Sequence, residues 1–136
     1  IYPGVREMLA ELHQLGHPLF VATSKIARIA RPIIEALGLD RYFVEVYGSD
    51  PTATRDDKSY LLETIVAERH LLAEECWMVG DRKFDVEAAR TNGMRTIGVS
   101  YGYGSVDELR ASGADHICAQ PADVVRMIST QSPRGN

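Results

Sequence analysis

Cys76-Trp77-Met78-Val79-Gly80-Asp81-Arg82-Lys83-Phe84-Asp85 is the stretch that decides how the rest of this 136-residue chain is read. An apolar run of the kind that forms a buried strand breaks at a glycine, and two carboxylates follow, four positions apart. A strand ending at Val79-Gly80 delivers Asp81 to the edge of a sheet. If a helix begins next, one turn returns Asp85 to the same side. Carboxylates placed this way suit Mg²⁺, which typically takes one or two protein carboxylates and completes its shell with water and substrate phosphate. A plain structural use competes with this: Asp81 capping the helix, and Asp85 in a first turn where the macrodipole favours anions. On these residues alone both readings stay open.

Two upstream signals bear on the choice. Leu19-Phe20-Val21-Ala22 has the pattern of a second buried strand and ends in Thr23-Ser24-Lys25, with a helix expected from Ile26. In an open α/β sheet ligands bind beyond the carboxyl ends of the strands, and a hydroxyl beside free helix N–H groups holds a phosphate oxygen well. An N-cap role for Thr23 or Ser24 is the alternative. Lys58 heads the amphipathic segment 58–70. A lysine in a first helical turn opposes the macrodipole, so a phosphate or carboxylate partner is expected. The alternative is a helix capped by Asp56 and Asp57 beside a solvated Lys58.

The remaining pattern alternates helix and strand with short connections. Helices are predicted over 5–15, 26–37, 58–70, 84–92, 106–111 and 123–129, and strands over 19–23, 44–48, 76–79, 96–99 and 116–118. This order implies an α/β fold with a doubly wound, Rossmann-like parallel sheet. One domain is expected over 1–130, followed by a polar tail over 131–136. Pro32 is predicted to kink the second helix rather than end it. The loop 49–57 is long for such a connection, as suits a segment carrying Lys58 to a site.

In this order Thr23, Lys58 and Gly80-Asp81-x-x-x-Asp85 resemble the second, third and fourth motifs of the haloacid dehalogenase (HAD) superfamily. The likeness is to the phosphoglycolate-phosphatase-like branch with an inserted cap. Tyr2-Pro3-Gly4-Val5 is similar to the segment that re-enters the core after the cap, and Val99-Ser100-Tyr101-Gly102-Tyr103-Gly104 to the strand and loop after the fourth motif. The resemblance implies a HAD-like core and a Mg²⁺-dependent phosphomonoester hydrolase. Its substrate would be a small phosphorylated metabolite, phosphoglycolate-like or a nucleotide, hydrolysed through an aspartyl-phosphate. Thr23, Lys58 and Asp81 are the catalytic residues it implies. Thr23, Ser24 and Lys58 would bind the substrate phosphate, and Asp81 and Asp85 would hold the metal, Asp85 either through water or by fixing Lys58 in an ion pair. Lys58→Ala is then expected to reduce turnover while changing stability little.

The chain departs from the family in one respect. The first motif, an Asp-x-Asp pair on an N-terminal strand that supplies nucleophile and general acid/base, occurs nowhere in it. The sequence opens at Ile1, directly at the post-cap helix, so the first motif and the cap are expected upstream. In the family the nucleophile strand lies between the strands that here are 19–23 and 76–79. Its absence would leave a gap bounded by unpaired strand edges, and the 136 residues alone are expected to be inert. The leaving group, which the cap largely covers in such enzymes, stays open.

Two other classes compete. A non-catalytic HAD-like binding or interaction domain would have lost the first motif outright. A phosphoacceptor regulatory domain also gathers carboxylates, a hydroxyl and a lysine around Mg²⁺, but needs its acceptor Asp at a strand end, whereas Asp40 and Asp50 fall in predicted loops.

A net charge of −4 lacks the basic surplus of nucleic-acid binding. No apolar run approaches the ~20 residues of a membrane span. A small phosphorylated metabolite is therefore the expected partner, with neither nucleic acid nor membrane, and oligomeric state is open. Cys76 and Cys118 both fall in predicted strands, where a free cysteine acts as a small hydrophobe, which points to a reducing, cytoplasmic setting. His13 and His17 are separated by Gly16 and flanked by Pro18, so no helix face pairs them for zinc. Lys25, Arg82 and Lys83 are read as a solvated basic face. The loop Tyr101-Gly102-Tyr103-Gly104 fits either a site entrance or a packed turn.

Overall fold

The computed structural model describes residues 2–52 and 57–131. In chain order the elements are α1 (Val5–Gln14), β1 (Phe20–Ile26), α2 (Ala27–Ala36), β2 (Glu45–Ser49), α3 (Lys58–Glu68) and β3 (Trp77–Gly80). They continue as α4 (Lys83–Thr91), β4 (Arg95–Val99), α5 (Val106–Ala111), β5 (His116–Cys118) and α6 (Pro121–Thr130). Short 3-10 turns at Asp40–Tyr42 and Ala73–Glu75 were not legible in the sequence. Residues 53–56 of the expected 49–57 loop, and 132–136 of the expected tail, lie outside the described residues.

Each helix forms where its apolar spacing predicts, and most boundaries agree within two residues. Helix α2 continues through Pro32 rather than ending there. Strand β1 continues beyond the expected Thr23 to Ile26. Cys76 lies one residue ahead of β3 rather than inside it, its thiol donating to the Leu72 carbonyl.

All strand pairs are parallel, but they fall into two sheets: β1 with β2, and β3-β4-β5 with β4 in the middle. Every residue of β4 is buried. On one face Ile97 and Val99 meet Met8, Leu9 and Leu12 of α1 and Val124 and Val125 of α6. A second cluster joins Leu62 and Ile65 of α3 to Ala88 and Ala89 of α4. Ile97, Leu109 and Val124 are fully buried, and burial of such a side chain stabilises by about 1.5–3 kcal/mol. The helices thus cover both faces, as a doubly wound α/β arrangement requires.

Strands β1 and β3 do not pair with each other. Between them runs a groove of about 1140 Å³, lined by Leu19–Thr23 on one side and Cys76–Gly80 on the other, with α1 side chains at its base.

Candidate functional site

The carboxyl ends of β1 and β3 open onto the same end of this groove. Ala22 of β1 pairs with Tyr47 and Ile26 with Ser49, so four steps along β1 match two along β2 and the intervening residues bulge out. Bulges bend a strand and redirect its side chains. Thr23 lines the groove at this bend, its Oγ1 accepting the Lys25 N–H at 3.1 Å. Helix α2 starts only at Ala27 with Ile26 as its uncapped N-cap, which rules out Thr23 and Ser24 as cap residues. Ser24 is exposed and does not line the groove.

Lys58 is the first residue of α3, and Asp57 is the N-cap, its carboxylate accepting the Tyr60 N–H at 2.7 Å. The ammonium is largely shielded from solvent and paired. Lys58 Nζ donates to the Ala22 carbonyl at 2.9 Å and lies 3.2 Å from Asp85 Oδ1, with both side chains 14% exposed. The carboxylate partner that a lysine at this helix position called for is therefore Asp85. With this pairing a larger effect of Lys58→Ala on stability is expected than for a solvated lysine. The substitution strands the Asp85 charge, so it should lower unfolding free energy by roughly 1–3 kcal/mol, less than for a fully buried pair because some solvent reaches this one. The urea midpoint reads this directly.

Asp81 follows β3 immediately. Its Oδ2 accepts the Tyr103 N–H at 3.0 Å, and among the described residues no donor reaches Oδ1. The loop after β4 lies flat on it: a Cβ added to Gly102 would fall 2.3 Å from Asp81 Cβ, and one on Gly104 would fall 2.0 Å from the Asp81 carbonyl oxygen. Gly104→Ala should therefore push this loop off Asp81 and destabilise by roughly 1–3 kcal/mol, as overpacking against backbone does. A lowered thermal midpoint checks it.

The donor set has the character Mg²⁺ accepts. Asp85 is engaged by Lys58 and, through Oδ2, by the Arg82 N–H at 3.4 Å, leaving Asp81 as the open carboxylate. Among the described residues no group of three or more His, Cys, Asp or Glu side chains could cage an ion. One or two carboxylates facing a groove is the coordination Mg²⁺ uses, with water and phosphate supplying the rest.

The chain matches the family model of haloacid dehalogenase-like hydrolases over residues 1–99. It belongs to that family. A 5'-nucleotidase of Pseudomonas aeruginosa is 41% identical to it over 96% of this chain and 59% of its own length. A phosphoglycolate phosphatase of Vibrio parahaemolyticus is 30% identical over 97% of this chain and 58% of its own. The crystal structure of a predicted phosphatase from Clostridium acetobutylicum superposes with a TM-score of 0.91 at 31% identity, covering 96% of this chain and 60% of that one. The chain thus spans about three-fifths of the curated relatives it matches, and its place in the phosphoglycolate-phosphatase-like branch of the HAD superfamily agrees with the resemblance read from its motifs.

Other groups around this HAD-type site sort as follows. Tyr101 packs on Tyr2 with ring centroids 4.5 Å apart, and burial pushes its hydroxyl pKa up to about 12. Tyr103 lines the groove mouth and is 94% exposed, so the loop is both a packed turn and an entrance. Lys25 and Lys83 are exposed, as expected of a solvated face. Arg82 stays 42% exposed but is paired. Its Nε lies 3.0 Å from Glu108 Oε2, a hydrogen bond that raises the guanidinium's pKa and holds the Glu108 carboxyl below its usual range. Sequence reasoning missed Glu108; the available signal was Ser105-x-x-Glu108, a capping-box spacing.

Proposed function

We propose that the chain is the post-cap part of a Mg²⁺-dependent phosphomonoester hydrolase, acting on a small phosphorylated metabolite, phosphoglycolate-like or a nucleotide, in the cytoplasm. The nucleophilic Asp-x-Asp strand is supplied from outside these residues. The observation that carries this reading is the position of Lys58, fixed between the Ala22 carbonyl and Asp85 beside a groove onto which Thr23 and Asp81 also open. A hydroxyl, an ammonium and a carboxylate around one strand-end groove are what phosphoryl transfer asks for, since it needs chiefly positioning and charge stabilisation.

In this reading Thr23 donates its hydroxyl to a phosphate oxygen and Lys58 balances phosphate charge. Asp81 is the direct metal ligand, and Asp85 acts by orienting Lys58, or through water. The metal, when bound, neutralises charge on the phosphate. Attack on phosphorus by the first supplied Asp breaks the ester P–O bond, the alcohol leaves with a proton from the second Asp, and water then cleaves the aspartyl-phosphate to inorganic phosphate. The names of the relatives fit both substrate classes.

The test is hydrolysis of a nucleoside monophosphate, phosphoglycolate and an aryl phosphate by the full-length protein. Lys58→Ala should cost about 10²-fold in turnover, and Lys58→Arg should recover only part, because a planar fork does not reproduce a point charge. Turnover unchanged in Lys58→Ala would overturn the reading.

A further inference from the structure

Glu108 lies outside every residue considered so far for the reaction. Ser105-Val106-Asp107-Glu108 opens α5 with capping-box spacing, in which the glutamate ordinarily turns back to the N–H of its own cap residue. Half of that box forms: Ser105 Oγ accepts the Glu108 N–H at 3.0 Å. The Glu108 carboxylate goes elsewhere. Oε2 accepts the Lys83 N–H at 2.9 Å and Arg82 Nε at 3.0 Å, while Oε1 accepts Arg82 Nη2 at 3.5 Å.

Lys83 is the first residue of α4, and its N-cap, Arg82, carries no side-chain oxygen with which to cap a free helix N–H. Glu108 supplies that oxygen from a different helix. Hydrogen bonds with an ionised partner, and the two-point Arg–carboxylate contact in particular, are stronger and more directional than neutral ones. On the other side of Asp81, the loop leading into α5 rests on the same residue through the Tyr103 N–H and the close approach of Gly102 and Gly104. The Gly104 position also abuts Glu108, an added Cβ lying 2.9 Å from Oε2. Asp81 is thus held between the loop before α5 and the start of α4, and Glu108 fastens these two supports together.

We propose that Glu108 is a positioning residue for Asp81: by capping α4 and clamping Arg82 it fixes the direction of the Asp81 carboxylate, and so sets affinity for the divalent cation. The inference rests on the proposed function, which makes Asp81 the metal ligand. Thr23 stands on the β1 side of the groove, away from the start of α4, so loss of Glu108 should act first on metal affinity and leave the Thr23 contact to the ester in place.

The experiment is Mn²⁺ binding to the full-length protein, followed by water-proton relaxation, with steady-state kinetics beside it. Glu108→Ala should weaken Mn²⁺ by about 10-fold or more, the range that partners of metal ligands command, with turnover falling in parallel at sub-saturating Mg²⁺ and recovering as Mg²⁺ is raised, and KM for the ester moving less than the Mn²⁺ constant. Glu108→Gln, which keeps an acceptor for the Lys83 N–H, should recover most of the loss. Asp115→Ala is the structural control. It removes a carboxylate that accepts from the Thr96 N–H and hydroxyl at 2.9 and 3.1 Å, and should lower Tm without moving the Mn²⁺ constant. A folded Glu108→Ala with wild-type Mn²⁺ affinity overturns the proposal, as does an equal loss in Asp115→Ala. If Glu108→Ala does not fold, Glu108→Asp, one methylene too short to span the contact, is judged by the same criteria. Wild-type protein that binds no Mn²⁺ overturns the functional reading and this inference with it, whereas binding that Glu108 variants do not alter overturns this inference alone.

Discussion

Asp81→Asn in the full-length protein is expected to lower turnover by about 10³-fold or more and to weaken divalent-cation affinity in parallel, while the fold survives. A direct metal ligand stabilises several kcal/mol of phosphate charge, and each 1.36 kcal/mol is tenfold in rate. Asparagine keeps an oxygen that can accept the Tyr103 N–H, so the loop 100–105 retains its seat and the thermal midpoint should move little. Asp85→Asn separates the two roles the carboxylates play. It breaks the ion pair to a Lys58 that is mostly shielded from water, so its effect should be larger on stability and milder on metal affinity than that of Asp81→Asn. Full turnover by Asp81→Asn in a chelator-treated, Mg²⁺-titrated assay would remove Asp81 from the metal site.

The alternation of elements was legible because each carries its own local signature. Helices α1, α4 and α6 bury one stripe, and β4 carries the β-branched Thr96, Ile97 and Val99 with no exposed position. Thr23 and Asp81 were legible because strand ends are where an α/β sheet presents side chains, Lys58 because a lysine opening a helix calls for an anionic partner, and all three line one groove. What stayed hidden depends on tertiary contact. The extension of β1 to Ile26 follows from pairing with β2 through a bulge, which no local pattern encodes. Local sequence left Lys58 either partnered or solvated, and the ion pair with Asp85, 27 positions away, was offered only by the motif resemblance, because it needs the fold to bring α4 to it. Arg82 was read as surface charge for the same reason, since its partner Glu108 is on another helix.

The 136-residue chain by itself is expected to show no Mg²⁺-dependent hydrolysis of an aryl phosphate, and to gain both activity and cooperative unfolding when an upstream Asp-x-Asp strand is supplied. The first half of this expectation is chemical. Without an Asp-x-Asp pair anywhere in the sequence the nucleophile of the proposed mechanism is lacking, so Thr23 and Lys58 would hold a phosphate and Asp81 a cation without transfer. The second half is structural. Strands β1 and β3 belong to separate sheets and face each other across a groove of about 1140 Å³ whose walls are largely apolar side chains from Leu19 to Ala22 and from Cys76 to Val79. A strand seated there would pair with both backbone edges, bury those side chains and turn two sheets into one. Left open, facing strand edges and apolar walls favour association between copies. Joining the chain to the two-fifths of the 41%-identical Pseudomonas aeruginosa relative that it does not match offers a compatible source for such a strand. The urea transition should then sharpen, and hydrolysis should appear that Asp→Asn at the first position of the supplied pair abolishes. Activity in the 136-residue chain alone would place the nucleophile among the residues described here, and an extended chain that gains neither cooperativity nor activity would mean that the groove between β1 and β3 receives something other than that strand.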